Sequence, residues 1–269
     1  MTLHRRAGTW SRITPAEAGW RYLTFGAERL DGSVERSTGG EEVAIVLLSG
    51  ACTAEVEGAT LELGPRAGVF EQLPWTLYLP RDTEYRLDGE AELAVSSAPV
   101  ERRLEPVLQR PDEVEVEIRG AGNATRQINN MIQPGFPAER ILICEVLTPA
   151  GNWSSYPPHK HDEDLFPDEV ALEEVYYYRA PAPEAFGLQR LYSPSRGLDE
   201  TWTVRDGDLV LVPHGYHPFC AAPGYDFYYL NALAGERHSM ANTDDPALAW
   251  IRETWPETPK DPRVPLVSA

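Results

Sequence analysis

Apolar positions along the chain fall in short blocks separated by glycine and proline. Val43 to Leu48, Thr76 to Leu79, Ile141 to Leu147, Leu209 to Val212 and Phe227 to Leu230 are rich in Val, Ile, Leu and Tyr. Blocks of this kind, bounded by turn formers, read as strands, and many in succession predict an all-β sandwich or barrel. Helix is expected only in short pieces, over Pro15 to Gly19, Ala124 to Ile132 and Pro246 to Trp255. In the last of these Asp244 or Asp245 caps and Pro246 starts the helix.

A weak internal echo organises these blocks. Glu41-Glu42-Val43 before an apolar run is repeated by Glu173-Glu174-Val175, and the stretch Tyr78 to Glu84 by Leu211 to His217. The echo predicts two similar barrels in tandem. Residues 1–119 form the first, including the charged connection Glu101 to Arg119, and residues 120–269 form the second. In this register Glu84 stands where the second half has His217, and no histidine occurs between His4 and His159.

Composition narrows the function classes. Against 24 basic residues stand 42 acidic ones, a formal charge of −18, which argues against nucleic acid or an anionic membrane as partner. A small anionic substrate fits only if local arginine or lysine lines its pocket. Cys52, Cys144 and Cys220 are few, odd in number and far apart, which is neither a disulfide framework nor a redox pair and points to a reducing cytoplasm. The amino-terminal residues lack the apolar core of a signal peptide, and no run approaches the ~20 apolar residues of a membrane span. The composition leaves a homo-oligomer open.

The chemistry concentrates in two segments, Pro158-His159-Lys160-His161 and Pro213-His214-Gly215-Tyr216-His217, with Glu173-Glu174-Val175 between them. On an extended strand His159 and His161 point to one face and Lys160 to the other. Two imidazoles then meet one cation, Glu174 supplies a carboxylate from a neighbouring strand, and His217 is the fourth ligand. Three nitrogens and one oxygen suit one divalent ion, zinc, manganese, iron or nickel, and the ligand set alone does not choose among them; zinc is the favoured expectation. His4, His214 and His238 read as satisfied structural imidazoles.

HxH, then Glu before an apolar strand, then Gly207-Asp208, Pro213, Gly215 and His217, resembles the two motifs of the cupin superfamily. Twelve residues separate His161 from Glu174, more than in most cupins, which marks Asp162 to Leu172 as an inserted acidic loop. The wider wording, Ser154 to Asp162, Leu172 to Arg179, Leu198 to Glu200, Val212 to Pro218 and Tyr228 to Asn231, is similar to the 5-deoxy-glucuronate isomerase family of inositol catabolism. That resemblance implies a bicupin of two antiparallel jelly-roll barrels, with the metal in the second. It also implies an aldose-ketose isomerisation of 5-deoxy-D-glucuronate to 5-dehydro-2-deoxy-D-gluconate.

Such a reaction uses the cation as a Lewis acid on the carbonyl and adjacent hydroxyl, and it needs a general base, for which the sequence names no residue. Arg126, Lys160, Arg190 and Arg237 are the candidate cations for a substrate carboxylate, arginine being suited by its planar fork. Tyr176 and Tyr178 share the face of Glu174 and either meet sugar hydroxyls or fill the core. Two other classes stay open: a cupin dioxygenase, and a non-catalytic sugar-binding bicupin whose metal is structural.

Overall fold

A computed structural model describes residues 2–268 as an all-β chain with two large sheets. In the first, strands run in the order Arg12–Ile13, Thr24–Ser37, Glu84–Pro99, Glu41–Val56, Thr76–Leu79 and Val107–Gln109, with Ala59–Arg66 also on Glu41–Val56. In the second the order is His4–Arg5, Leu209–Val212, Leu172–Arg179, Phe227–Gly235, Ile141–Thr148, Arg126–Ile132 and Glu115–Arg119. A four-stranded sheet of Trp153–Ser154, Phe219–Ala221, Gly187–Ser193 and Leu198–Val204 shares an apolar cluster with the second. Two stretches cross the division drawn between residues 119 and 120: His4–Arg5 pairs with Leu209–Val210, and Glu115–Arg119 forms an edge of the second sheet.

The central strands are apolar without alternation because both their faces are buried. Ala44, Val46 and Leu48 pack with Val175, Tyr177, Leu209 and Leu211 in one cluster along the seam between the large sheets. Val43, Ile45 and Leu47 enter the interior of the first half, and Tyr176, Tyr178, Val210 and Val212 that of the second. The same demand overrides the helix expected over Ala124 to Ile132. Arg126–Ile132 is a strand paired on both sides, with Glu115–Arg119 and with Ile141–Thr148, which places its apolar and polar side chains in two buried layers. Of the other helices, Pro15–Ala18 forms with Thr14 as its cap. Of the last expected helix the regular part is Ile251–Thr254, preceded by a turn that Asp245 caps, its side chain accepting the amide of Ala247 and its carbonyl those of Leu248 and Ala249.

The internal echo holds, with its first part shifted by one residue. Val43 pairs with Leu79 and Glu174 with Val212, so with Leu79 matched to Val212 the counterpart of Glu174 is Val43. Glu42 therefore matches Glu173, and the two do the same work. The carboxylate of Glu42 accepts the backbone amides of Glu139, Arg140 and Ile141 at the entry to a second-half strand. That of Glu173 accepts those of Arg21, Tyr22 and Leu23 at the entry to a first-half strand. Each half thus clamps the backbone of the other.

A third link is a fully buried ion pair. Arg66 of the first half and Glu145 of the second are both 0 % exposed and meet in a two-pronged contact at 2.8 and 3.0 Å. Arg66 also donates to the carbonyls of Leu47 and Gln72, while Glu145 accepts from Tyr228 and Asn129. Such a pair costs desolvation when it forms, and breaking it by removing one partner strands a charge. Arg66→Met is expected to lower unfolding stability by about 3 to 5 kcal/mol. In urea titrations, adding Glu145→Leu should recover part of that loss, and a double variant less stable than Arg66→Met would contradict this account.

Candidate functional site

The strand Leu172–Arg179 divides its two glutamates by alternation, sending Glu173 to the seam and Glu174 into the second half. There the imidazoles of His159, His161 and His217 gather, with nitrogens within 4.8 Å of one another. Glu174 Oε2 lies 2.9 Å from His161 Nε2 and 3.2 Å from His217 Nε2. His159 is placed by the pairing of His159–Lys160 with Thr243–Asp244, and His161 by its carbonyl, which accepts the amide of Leu172.

The tautomer of His217 follows from its surroundings. Nδ1 donates to the carbonyl of Gly215 at 2.8 Å, so Nε2 carries the lone pair. That atom is buried without a hydrogen-bond partner, and it faces a carboxylate oxygen that is also an acceptor. Two acceptors 3.2 Å apart and out of water repel unless a cation or proton lies between them. Ligands of one zinc ion, each about 2 Å from it, stand roughly 3 to 3.5 Å apart. The donor set therefore fits a divalent cation.

Protonation agrees. Burial pushes the pKa of His217 down to about 4 and that of His159 well below its ordinary value, the latter helped by the neighbouring imidazoles. Both rings are neutral at pH 7, the form that binds metal. For His161 burial opposes protonation, and the hydrogen bond to Glu174, that carboxylate's charge and backbone hydrogen bonds together more than offset it, so its pKa is raised.

His159, His161 and Glu174 line a cavity together with Arg126, Arg119, Tyr176 and Tyr229. Arg126 is 3 % exposed. Its Nη1 donates to the carbonyls of Ala124 and Tyr156, and among the described residues no carboxylate pairs with it. Burial lowers its pKa to about 10, which leaves it charged at pH 7. Tyr176 lines the same cavity, with its hydroxyl 2.8 Å from that of Ser155.

The other candidates for substrate contact lie elsewhere. Lys160 is turned from the cavity, as alternation requires, and its ammonium is held by Asp162, Glu163 and Glu169. Tyr178 is a core residue, fully buried against Phe219 and Phe227, with its hydroxyl spent on Gln189. Arg190 pairs with Asp199 and stacks on Tyr192 at the surface. Arg237 pairs with exposed Asp164 and covers Phe166. Neighbouring acids, exposed for Arg190 and Arg237 and mostly buried for Lys160, satisfy these cations away from the cavity.

Tyr229 and Arg119 are among the cavity residues not singled out from sequence. Tyr229 stands two residues before Asn231 on one strand face, a signal that alternation contains, and its hydroxyl donates to Ser154. Arg119 reaches the site only because it is opposite Arg126 in the ladder, a pairing the sequence does not state. Of the remaining histidines, His4 contacts Asp208 and His238 the carbonyl of Ile141.

Residues 2–251 match the KduI/IolB family. A 5-deoxy-glucuronate isomerase of Geobacillus kaustophilus is 41 % identical over 253 residues, 92 % of each chain. That of Halalkalibacterium halodurans is 37 % identical over 248 residues, 90 % of this chain and 92 % of the other. An IolB-like protein from Salmonella typhimurium superimposes with a TM-score of 0.90 at 37 % identity, covering 94 % of this chain and 100 % of that one. Lactobacillus farciminis oxalate decarboxylase, solved as a formate complex, gives a TM-score of 0.66 over 97 % of both chains. At 12 % identity that likeness shows the fold alone, the all-β bicupin.

The two neighbouring glutamates separate metal binding from folding. Glu174→Gln is expected to weaken zinc binding by about 100-fold or more, read by competition with a chromophoric chelator. Glu173→Gln should leave that affinity within about threefold and lower the urea midpoint instead, because it weakens the clamp on residues 21–23. The reverse pattern would reassign the ligand.

Proposed function

The chain belongs to the KduI/IolB family, and on that premise we propose that it is a metal-dependent 5-deoxy-D-glucuronate isomerase yielding 5-dehydro-2-deoxy-D-gluconate, as in inositol catabolism. His159, His161, Glu174 and His217 are the ligands in this reading, for a divalent ion with zinc favoured. The observation that carries it is the pair of opposed acceptors, His217 Nε2 and Glu174 Oε2, with Glu174 lining a cavity that also holds a buried guanidinium.

A divalent cation bound there supplies Lewis acidity to the substrate carbonyl and the adjacent hydroxyl, so that hydrogen can pass between the two carbons. The chain's own residues hold and orient the sugar acid. Arg126, buried and without a carboxylate partner among the described residues, offers donors that suit the uronate carboxylate. Anchoring that end fixes how far along the sugar the aldehyde end reaches toward the imidazoles. Tyr176 is suited to bond a sugar hydroxyl rather than to act as the base. Burial, and then the charge of Glu174, raise its pKa well above the ordinary value, so its phenol stays protonated. The partner is thus a small sugar acid, and no helix among the described residues is long and apolar enough to cross a membrane.

Metal analysis joined to an isomerase assay on 5-deoxy-D-glucuronate tests this reading. The expected result is one divalent ion per chain, loss of turnover on chelation with the fold intact, and recovery on adding the ion back. His217→Ala should bind little metal and turn nothing over, and full activity in metal-free buffer would refute the mechanism. Arg126→Met is expected to raise KM by roughly 10- to 100-fold with a smaller effect on kcat, since it removes charge-assisted bonds from a non-reacting group.

A further inference from the structure

The inserted loop after His161 contains two carboxylates that do not face solvent, Asp162 and Glu169. The side chain of Asp162 is 7 % exposed, its Oδ1 accepts from Lys160 Nζ at 2.9 Å, and its Oδ2 accepts the backbone amide of Gly215 at 2.9 Å. Gly215 is the residue whose carbonyl accepts His217 Nδ1. We propose that Asp162 is a positioning residue that fixes the tautomer and ring orientation of His217 through Gly215, with Lys160 and Glu169 holding Asp162 in place. This rests on reading His217 as a metal ligand.

The geometry gives the effect a direction. Gly215 has φ of +92°, a conformation open to glycine and strained for other residues. A Cβ there would stand 2.6 Å from the carbonyl oxygen of Tyr192. The next residue is tied to the same strand, Tyr216 and Tyr192 exchanging both backbone hydrogen bonds at 2.8 and 2.9 Å. Asp162 grips the other side of Gly215 and so sets where its carbonyl points. His217 has a competing state: a proton on Nε2 would find Glu174 Oε2 only 3.2 Å away. That tautomer satisfies the buried nitrogen and removes the lone pair a cation needs. The Gly215 carbonyl, held in place, keeps the proton on Nδ1. Second partners of this kind fix ring tautomers at metal sites.

The loop is built to keep Asp162 there. Glu169 is 1 % exposed, and its carboxylate accepts Lys160 Nζ and the amides of Asp162 and Glu163. Lys160 therefore neutralises a carboxylate cluster that would otherwise repel, with Arg196 a further 3.9 Å from Asp162. A lysine facing away from the ligands on the HxH segment thus acts on the third histidine from outside.

Nitrogen NMR on the metal-free protein, together with zinc affinity by chelator competition, tests this. Wild type should show His217 protonated at Nδ1 only, with couplings across the hydrogen bonds from Gly215 N–H to the Asp162 carboxylate and from His217 Nδ1–H to the Gly215 carbonyl. Asp162→Ala, and Asp162→Leu as a variant of fuller volume, should show mixed tautomers and a zinc affinity lower by about 10- to 100-fold. The neutral pair Lys160→Met with Asp162→Asn keeps an acceptor for Gly215 and should retain the wild-type tautomer and an affinity within about threefold. Unchanged tautomer and affinity in Asp162→Ala overturn the proposal, and so does a missing coupling in wild type, whether or not the variants fold. If wild type itself binds no divalent ion, the ligand reading fails instead.

Discussion

A carboxylate taken out of water has to be met by a cation or by a full set of donors, and the architecture is arranged around that constraint. At the seam it is met from within the chain. Glu145 meets Arg66, Glu42 meets three backbone amides, and Glu173 meets three more. All three bridge the two halves, so buried charge and relative placement of the sheets are one problem with one solution. In the cavity it is left open. Glu174 faces a lone pair on His217, and Arg126 is a cation without a carboxylate partner among the described residues. What the seam supplies internally, the site in the proposed reading takes from outside, as a metal ion and an anionic substrate.

The two solutions share one strand. Glu173 and Glu174 are adjacent, and because side chains alternate, the first clamps the opposite half while the second enters the cavity. A slip of one residue would turn each side chain to the opposite face and bring either Leu172 to the clamp or Val175 to the imidazoles, so only one register serves both places. The clamp therefore defines the register that puts Glu174 beside His161 and His217. The first half keeps the clamp as Glu42, but has Val43 at the position of Glu174 and an exposed Glu84 at that of His217. It retains the structural half of the repeat and lacks the chemical half.

Family membership separates the isomerase from an oxygenase or an inert binder more directly than geometry does, since three histidines and a glutamate serve several reactions. The cavity adds direction. Its lining joins a buried guanidinium to His159, His161 and Glu174, groups that in the proposed reading suit the carboxylate and the carbonyl of a uronate. The acidic insertion, though most of it is exposed, has its two buried carboxylates, Asp162 and Glu169, directed inward at the HxH segment and Gly215.

By itself the sequence determined what local periodicity and side-chain chemistry can carry. These are the strand-rich class, the tandem echo, the grouping of His159, His161, Glu174 and His217, and the turning of Lys160 away from them. Tertiary structure decided what depends on partners distant in the chain. It made a strand of Arg126–Ile132, where two flanking strands outweigh local preference, and it corrected the echo by one residue, because only cross-strand pairing reveals that Val43 and not Glu42 is the counterpart of Glu174. It also sorted the candidate cations. Arg190 and Arg237 found acidic neighbours at the surface, whereas Arg126 was buried without one among the described residues. Whether a charge is satisfied depends on what surrounds it in space, and a linear pattern does not contain that.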